Sequence, residues 1–169
     1  MNGAHFHLVV NHLPIIFPLV GAIVLVTGLI SKSEAVSRTA FMIFILGAMS
    51  AFAAMATGEG AEEIVEKIGG IQEDMIKTHE EAAKVFAILS YLLGALSILG
   101  LRASFKEKKF SNLIPIATLV IAITVLFLAK QTGTTGGEIR HTEIRSGNST
   151  PVPAPAVDQN KIGKDGDDD

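Results

Sequence analysis

The sequence predicts an all-α fold: a four-transmembrane-helix bundle with a short extracytoplasmic amphipathic helix and a disordered C-terminal tail. Three observations predict it. Four apolar runs each have about the 17–25 residues a helix needs to cross roughly 30 Å of hydrocarbon. Charged residues, 18% of the 169, fall mostly between those runs or in the tail. Lipid offers no partner to a backbone amide, so such runs must pair their amides internally, as helices do.

The first span, 8–30, is interrupted only by Asn11, His12, Pro14 and Pro18. No Lys or Arg precedes it, and it is longer than the apolar core of a cleavable leader, so it is expected to be retained. The second span is 39–57. Beyond it Glu59, Glu62, Glu63 and Glu66 recur at helical spacing, with Ile64, Val65 and Ile68 on much of the other side. This pattern predicts a separate amphipathic helix, ended by Gly69-Gly70. The third span, 82–101, is preceded by Thr78-His79-Glu80-Glu81, a capping box in which Thr78 caps the helix and Glu81 completes the box.

The fourth span, 113–129, carries Pro115 in its first turn, where a missing N–H is tolerated. Gly133, Gly136 and Gly137 then fall within five residues. They predict a helix C-cap and a tight turn that returns Glu138, Arg140, His141 and Glu143 to the membrane surface. The membrane domain is expected to cover 1–145. The segment 146–169, rich in Pro, Gly, Ser and Asp, has too few apolar residues to build a core.

Short loops set the expected orientation. Loops 31–38 and 102–112 hold Lys32, Arg38, Arg102, Lys106, Lys108 and Lys109, which marks that side as cytoplasmic. Both termini are then extracytoplasmic, in the inner membrane of a prokaryote.

Composition excludes several functions. With no cysteine there is no disulfide, thiolate catalysis, iron–sulfur cluster or covalent c-type haem. A net charge of −3 gives a nucleic-acid partner no support. Apart from His12, with Lys84 and Lys130 at the ends, the spans hold no ionisable group to line a transport path.

All five histidines (His5, His7, His12, His79 and His141) fall on the expected outer side. His5 and His7, in the terminus, read as solvated. His12 lies within the first apolar run and is expected to face the bundle, and His79 to open the third helix beside Glu80. His141 lies beyond the glycine turn. Imidazole is the commonest metal ligand, so His12 and His79 are expected to bind a cofactor, and His12, His79, His141, Glu62 and Glu80 to offer donors to a metal.

Four patches resemble a family of bacterial four-helix membrane proteins known as a domain of unknown function. Its members start with a His-Pro-x-x-x-His-Phe-Pro-like stretch, matched here by Asn11-His12-Leu13-Pro14-Ile15-Ile16-Phe17-Pro18. Gly58-Glu59-Gly60-Ala61-Glu62-Glu63 is similar to the family's Gly-x-x-Ala-Glu segment. His79-Glu80 and Thr132-Gly133-Thr134-Thr135-Gly136-Gly137 match its His-Glu pair and Thr-Gly-x-x-Gly-Gly turn. The resemblance spans roughly residues 8–145. It departs at Ile16-Phe17-Pro18, which lacks the family's histidine, and at Glu138–Ile144, which replaces an apolar sequence. Some relatives are joined to c-type cytochrome domains, which implies a redox setting for those architectures.

The expected function is an integral membrane protein whose His/Glu cluster binds b-type haem or a non-haem iron, zinc or copper ion in a redox-linked role. Its expected partners are the lipid bilayer, a membrane or periplasmic redox protein and, for a homo-oligomer, further copies of the chain. A non-catalytic subunit or scaffold without cofactor, whose polar cluster only pins helix ends, is the alternative.

Overall fold

The computed structural model describes residues 3–68, 72–105 and 113–145. The predicted Gly69-Gly70 stop, Lys106, Lys108, Lys109 and the tail lie outside them. The elements are α1 (Gly3–Val10), α2 (Leu13–Ser31), α3 (Glu34–Ile68), α4 (Glu73–Phe105), α5 (Leu113–Arg140) and a 3-10 turn at Thr142–Ile144. In the four-sided bundle α2 packs on α3 and α5, α4 packs on the same two, and α1 lies against α3.

The first apolar run is two helices. Pro14 has no N–H, and its ring collides with the carbonyl four residues back, so α1 stops at Val10. The His12 carbonyl starts the next ladder, accepting from the Ile15 and Ile16 amides at 3.1 and 3.0 Å. At the other end of α2, Lys32 adopts the left-handed conformation (φ 52°) and the Ser33 amide bonds Gly28 O at 3.0 Å. The predicted loop 31–38 therefore shrinks to Lys32 and Ser33, and Arg38 already belongs to α3.

Three sequence expectations are corrected at the opposite end. The segment from Gly58 to Ile68 is the unbroken continuation of α3, not a separate amphipathic helix. Likewise α4 begins at Glu73, so His79 stands two turns inside it. Thr78 caps nothing there, because its hydroxyl donates to Asp74 O at 2.7 Å within the same helix. Residues 133–137 make no turn, since α5 passes through them to Arg140. Thr132 donates to Ala82 O on α4 at 3.2 Å, and Gly133 and Gly136 supply close approach to Ile15 and His79. Helix–helix contact outweighs the low helix propensity of these glycines. The helix ends where Arg145 folds back to donate to Glu138 O and Ile139 O at 2.7 and 3.0 Å.

Leu25, Phe41, Phe44, Leu93 and Val125 form the core. Phe44 packs into the notch at Gly21, and Phe41 into the notch at Gly100. Ser50, Ser90, Ser97 and Thr118 are buried, but each donates to a carbonyl of its own helix at 2.7–2.8 Å, so the core carries no unspent polar group of theirs. The outer surface is apolar, with Phe52 68% and Phe127 71% exposed. Four helical segments, His5–Ser31 (α1 with α2), Glu34–Ile64, Glu73–Phe105 and Leu113–Ile139, are long and apolar enough to cross a membrane. These are the properties of a multi-pass membrane protein, for which lipid is the solvent of that surface.

Candidate functional site

At 35 residues, α3 is a rod of roughly 50 Å, well beyond the 30 Å of hydrocarbon. The prolongations of α3, α4 and α5 all rise at the same end, where α1 also lies. That end holds the histidines His7 and His79.

His7 is half-buried on α1. Its Nδ1 lies 3.0 Å from Thr57 Oγ1 and 3.1 Å from Ala54 O, both on α3. His79, half-buried on α4, makes the matching arrangement with α5, its Nδ1 lying 3.2 Å from Thr135 Oγ1. His7 lies within electrostatic reach of His79. Each ring adjoins a glycine that follows its threonine. A Cβ at Gly58 would meet His7 Cε1 at 4.0 Å, and one at Gly136 would meet His79 Cε1 at 2.9 Å. A Thr-Gly pair on a neighbouring helix thus seats each histidine.

Asn11 follows His7 by one helical turn, its amide bonding His7 O at 2.9 Å. Its Oδ1 is buried and has no hydrogen-bond partner among the described residues.

The residues singled out from sequence are dispersed. His12, expected to face the bundle, is exposed at the α1–α2 break and its side chain caps nothing. His141 is exposed and pairs with Glu143 at 2.9 Å. Glu80 pairs along α4 with Lys84 at 2.9 Å, and Glu62 is half-buried on α3, within electrostatic reach of Lys84. Among the described residues no three of His, Asp and Glu gather as a metal-holding group. Among the described residues His79 alone of those predicted hydrogen-bonds to another helix, and the matching seat belongs to His7, expected from sequence to be solvated.

The sequence did hold a signal for this. Thr57-Gly58 and Thr135-Gly136 repeat one dipeptide near two helix ends, and His7 and Asn11 share a helical face by spacing.

Fold and site together define a helical bundle with four helices suited to cross a membrane and two histidines seated by hydrogen bonds at one end. No protein-family model, curated protein or solved structure matches the chain.

Proposed function

We propose that the protein is a redox-linked membrane module whose His7 and His79 together hold a metal centre, b-type haem in the first instance. The observation that carries this reading is the pair of matched seats, in which Nδ1 of each ring is engaged by another helix. Metal-ligating histidines are held in this way, one nitrogen anchored and the other left for the metal. Haem fits the donor count, because it asks the protein for two axial ligands where a tetrahedral ion takes three or four. Bound haem would supply one-electron chemistry, and the chain's own part is to present two oriented imidazoles among apolar helices.

The same reading puts the histidine end on the extracytoplasmic side of a prokaryotic inner membrane, within reach of a membrane or periplasmic redox partner. Lys32, Arg38 and Arg102 at the other end support it, with Lys106, Lys108 and Lys109 close by in sequence. A reporter fused after Lys109 is expected to be active only in the cytoplasm, and periplasmic activity there would overturn the orientation.

The main test is an absorption spectrum with metal analysis on gently purified full-length protein. A Soret band with about one haem per chain is expected. Either His7→Ala or His79→Ala should remove most of it, and the double change should add little, because partners in one site are non-additive. His12→Ala and His141→Ala should leave the band intact. The absence of both haem and stoichiometric metal would sink the reading.

A second reading, the scaffold without cofactor, is favoured by the same hydrogen bonds. His7 ties α1 to α3 and His79 ties α4 to α5, so the pair also pins helix ends.

A further inference from the structure

We propose that the groove between α3 and α4 is the interface with a second copy of this chain, closed by a hydrogen bond between the Tyr91 hydroxyls of the two copies. This face is apart from the histidine end, so the pairing does not depend on any cofactor there.

The groove measures about 370 Å³. Ala48, Met49 and Phe52 of α3 and Tyr91, Gly94 and Ala95 of α4 line it, and Tyr91 carries the one polar side chain among the lining residues. Tyr91 is 38% exposed, and among the described residues its hydroxyl has no hydrogen-bond partner. The exposed threonines Thr27 and Thr124 spend their protons on carbonyls of their own helices. A tyrosine hydroxyl stands too far from its own backbone to do the same. Nor does it reach water: Tyr91 is nine residues from Ala82 and ten from Leu101, about 14 and 15 Å from the ends of the apolar stretch. Hydrocarbon at that depth offers neither donor nor acceptor.

A second copy supplies what lipid lacks. Copies inserted under the same loop charges share one orientation. The two-fold axis of a pair then runs along the membrane normal, and each residue meets residues of the other copy at its own depth. A hydroxyl both donates and accepts, so Tyr91 is complementary to itself.

The remaining lining residues match level by level. A Cβ at Gly94 would fall 2.5 Å from Ala48 Cβ, so these two residues stand at one depth. Because α3 and α4 run antiparallel, Phe52 is level with Tyr91, one turn toward the histidine end, and Met49 is level with Gly94 and Ala95. Ala48, Gly94 and Ala95 leave a notch in which another helix comes close. Met49 of each copy has the other's notch at its own level, and its flexible thioether adapts to such a gap.

The test uses the full-length chain in lipid nanodiscs and in detergent, with light scattering and sedimentation reading the oligomeric state. A dimer is expected. Tyr91→Phe, which removes only the hydroxyl, should weaken it about 3–10-fold. Ala95→Leu, which fills the notch from the surface, should abolish it and leave the helical circular dichroism of the monomer unchanged. The chain has no cysteine, so single-cysteine variants report without background. Under a mild oxidant Tyr91→Cys should cross-link to its own copy, and Ile123→Cys, exposed on α5, should not. A chain that stays monomeric at every protein-to-lipid ratio overturns the proposal, as does a monomer holding a lipid or other small molecule in the groove by native mass spectrometry. A dimer that cross-links through Ile123→Cys places the interface elsewhere, and one indifferent to Tyr91→Phe removes the hydroxyl pair. If Ala95→Leu fails to fold, the cross-linking pattern still decides.

Discussion

The imidazole of His79 rests against Gly136, where a Cβ would come within 2.9 Å of its Cε1. That approach is too close for any other residue, whereas a Cβ at Gly133, one turn earlier on α5, would meet Ile15 Cδ1 at an ordinary 3.7 Å.

Gly136→Ala should therefore displace His79 and destabilise the bundle by about 1–3 kcal/mol, as overpacking does. Gly133→Ala should be neutral or stabilising by up to about 1 kcal/mol, because alanine is the better helix former. Denaturation in detergent, with the His79 ring resonance as a local probe, checks both. Equal effects at the two glycines would count against a specific seat.

The α3–α4 contact has a similar control. A Cβ at Gly94 would fall 2.5 Å from Ala48 Cβ, and neither group can swing aside. Gly94→Ala should cost about 1–3 kcal/mol by forcing the helices apart. Ala48→Gly in the same chain should recover most of that loss, because the two sites are in contact and couple.

Arg38 clasps the far end of the bundle. Its guanidinium donates to Ser104 Oγ at 3.1 Å, Ser104 O at 2.7 Å and Glu34 at 2.8 Å, and lies 4.4 Å from the Phe105 ring centroid. Arg38→Ala is expected to lower stability by about 1.5–3 kcal/mol, the range for hydrogen bonds to a charged group. Arg38→Lys should recover little, since an ammonium cannot reproduce the planar fork. Melting curves of the three proteins decide it.

The Glu143 carboxyl is held below the ordinary carboxylate range, first by its own backbone N–H and then by the His141 ring. A depressed carboxylate stabilises its surroundings above its ordinary pKa, and that contribution fades as pH falls through the lowered value. The turn at Thr142–Ile144 should therefore loosen only in acid below the usual carboxylate range. His141→Ala should raise the Glu143 midpoint part of the way, since the backbone N–H remains. Carboxyl 13C shifts against pH measure it, and because the pair is exposed the melting temperature should stay put.

Much of the fold was legible in the chain. Run length and the scarcity of charge located the four helical segments long and apolar enough to cross a membrane, and Pro115 sits near the start of α5 as its position in the sequence implied. Less of the site was legible. His12 drew attention by standing in an apolar run, yet it is exposed, while His7 in the terminus acquired two partners on α3. Its seat at Thr57 is fifty positions away, a separation no local pattern encodes.

By itself the sequence determined which stretches suit lipid, because hydrocarbon thickness and the cost of bare amides act on each segment alone. Tertiary structure alone decided that α1 would lie on α3, and that Gly133–Gly137 would stay helical against α4 and Ile15. It also decided that His7 would be seated on α3 and His79 on α5, while His12 stands exposed. Glycine, threonine and histidine are ambiguous locally, serving turns, caps or close contacts alike, and only the packing partner that arrives from a distant helix selects among those uses.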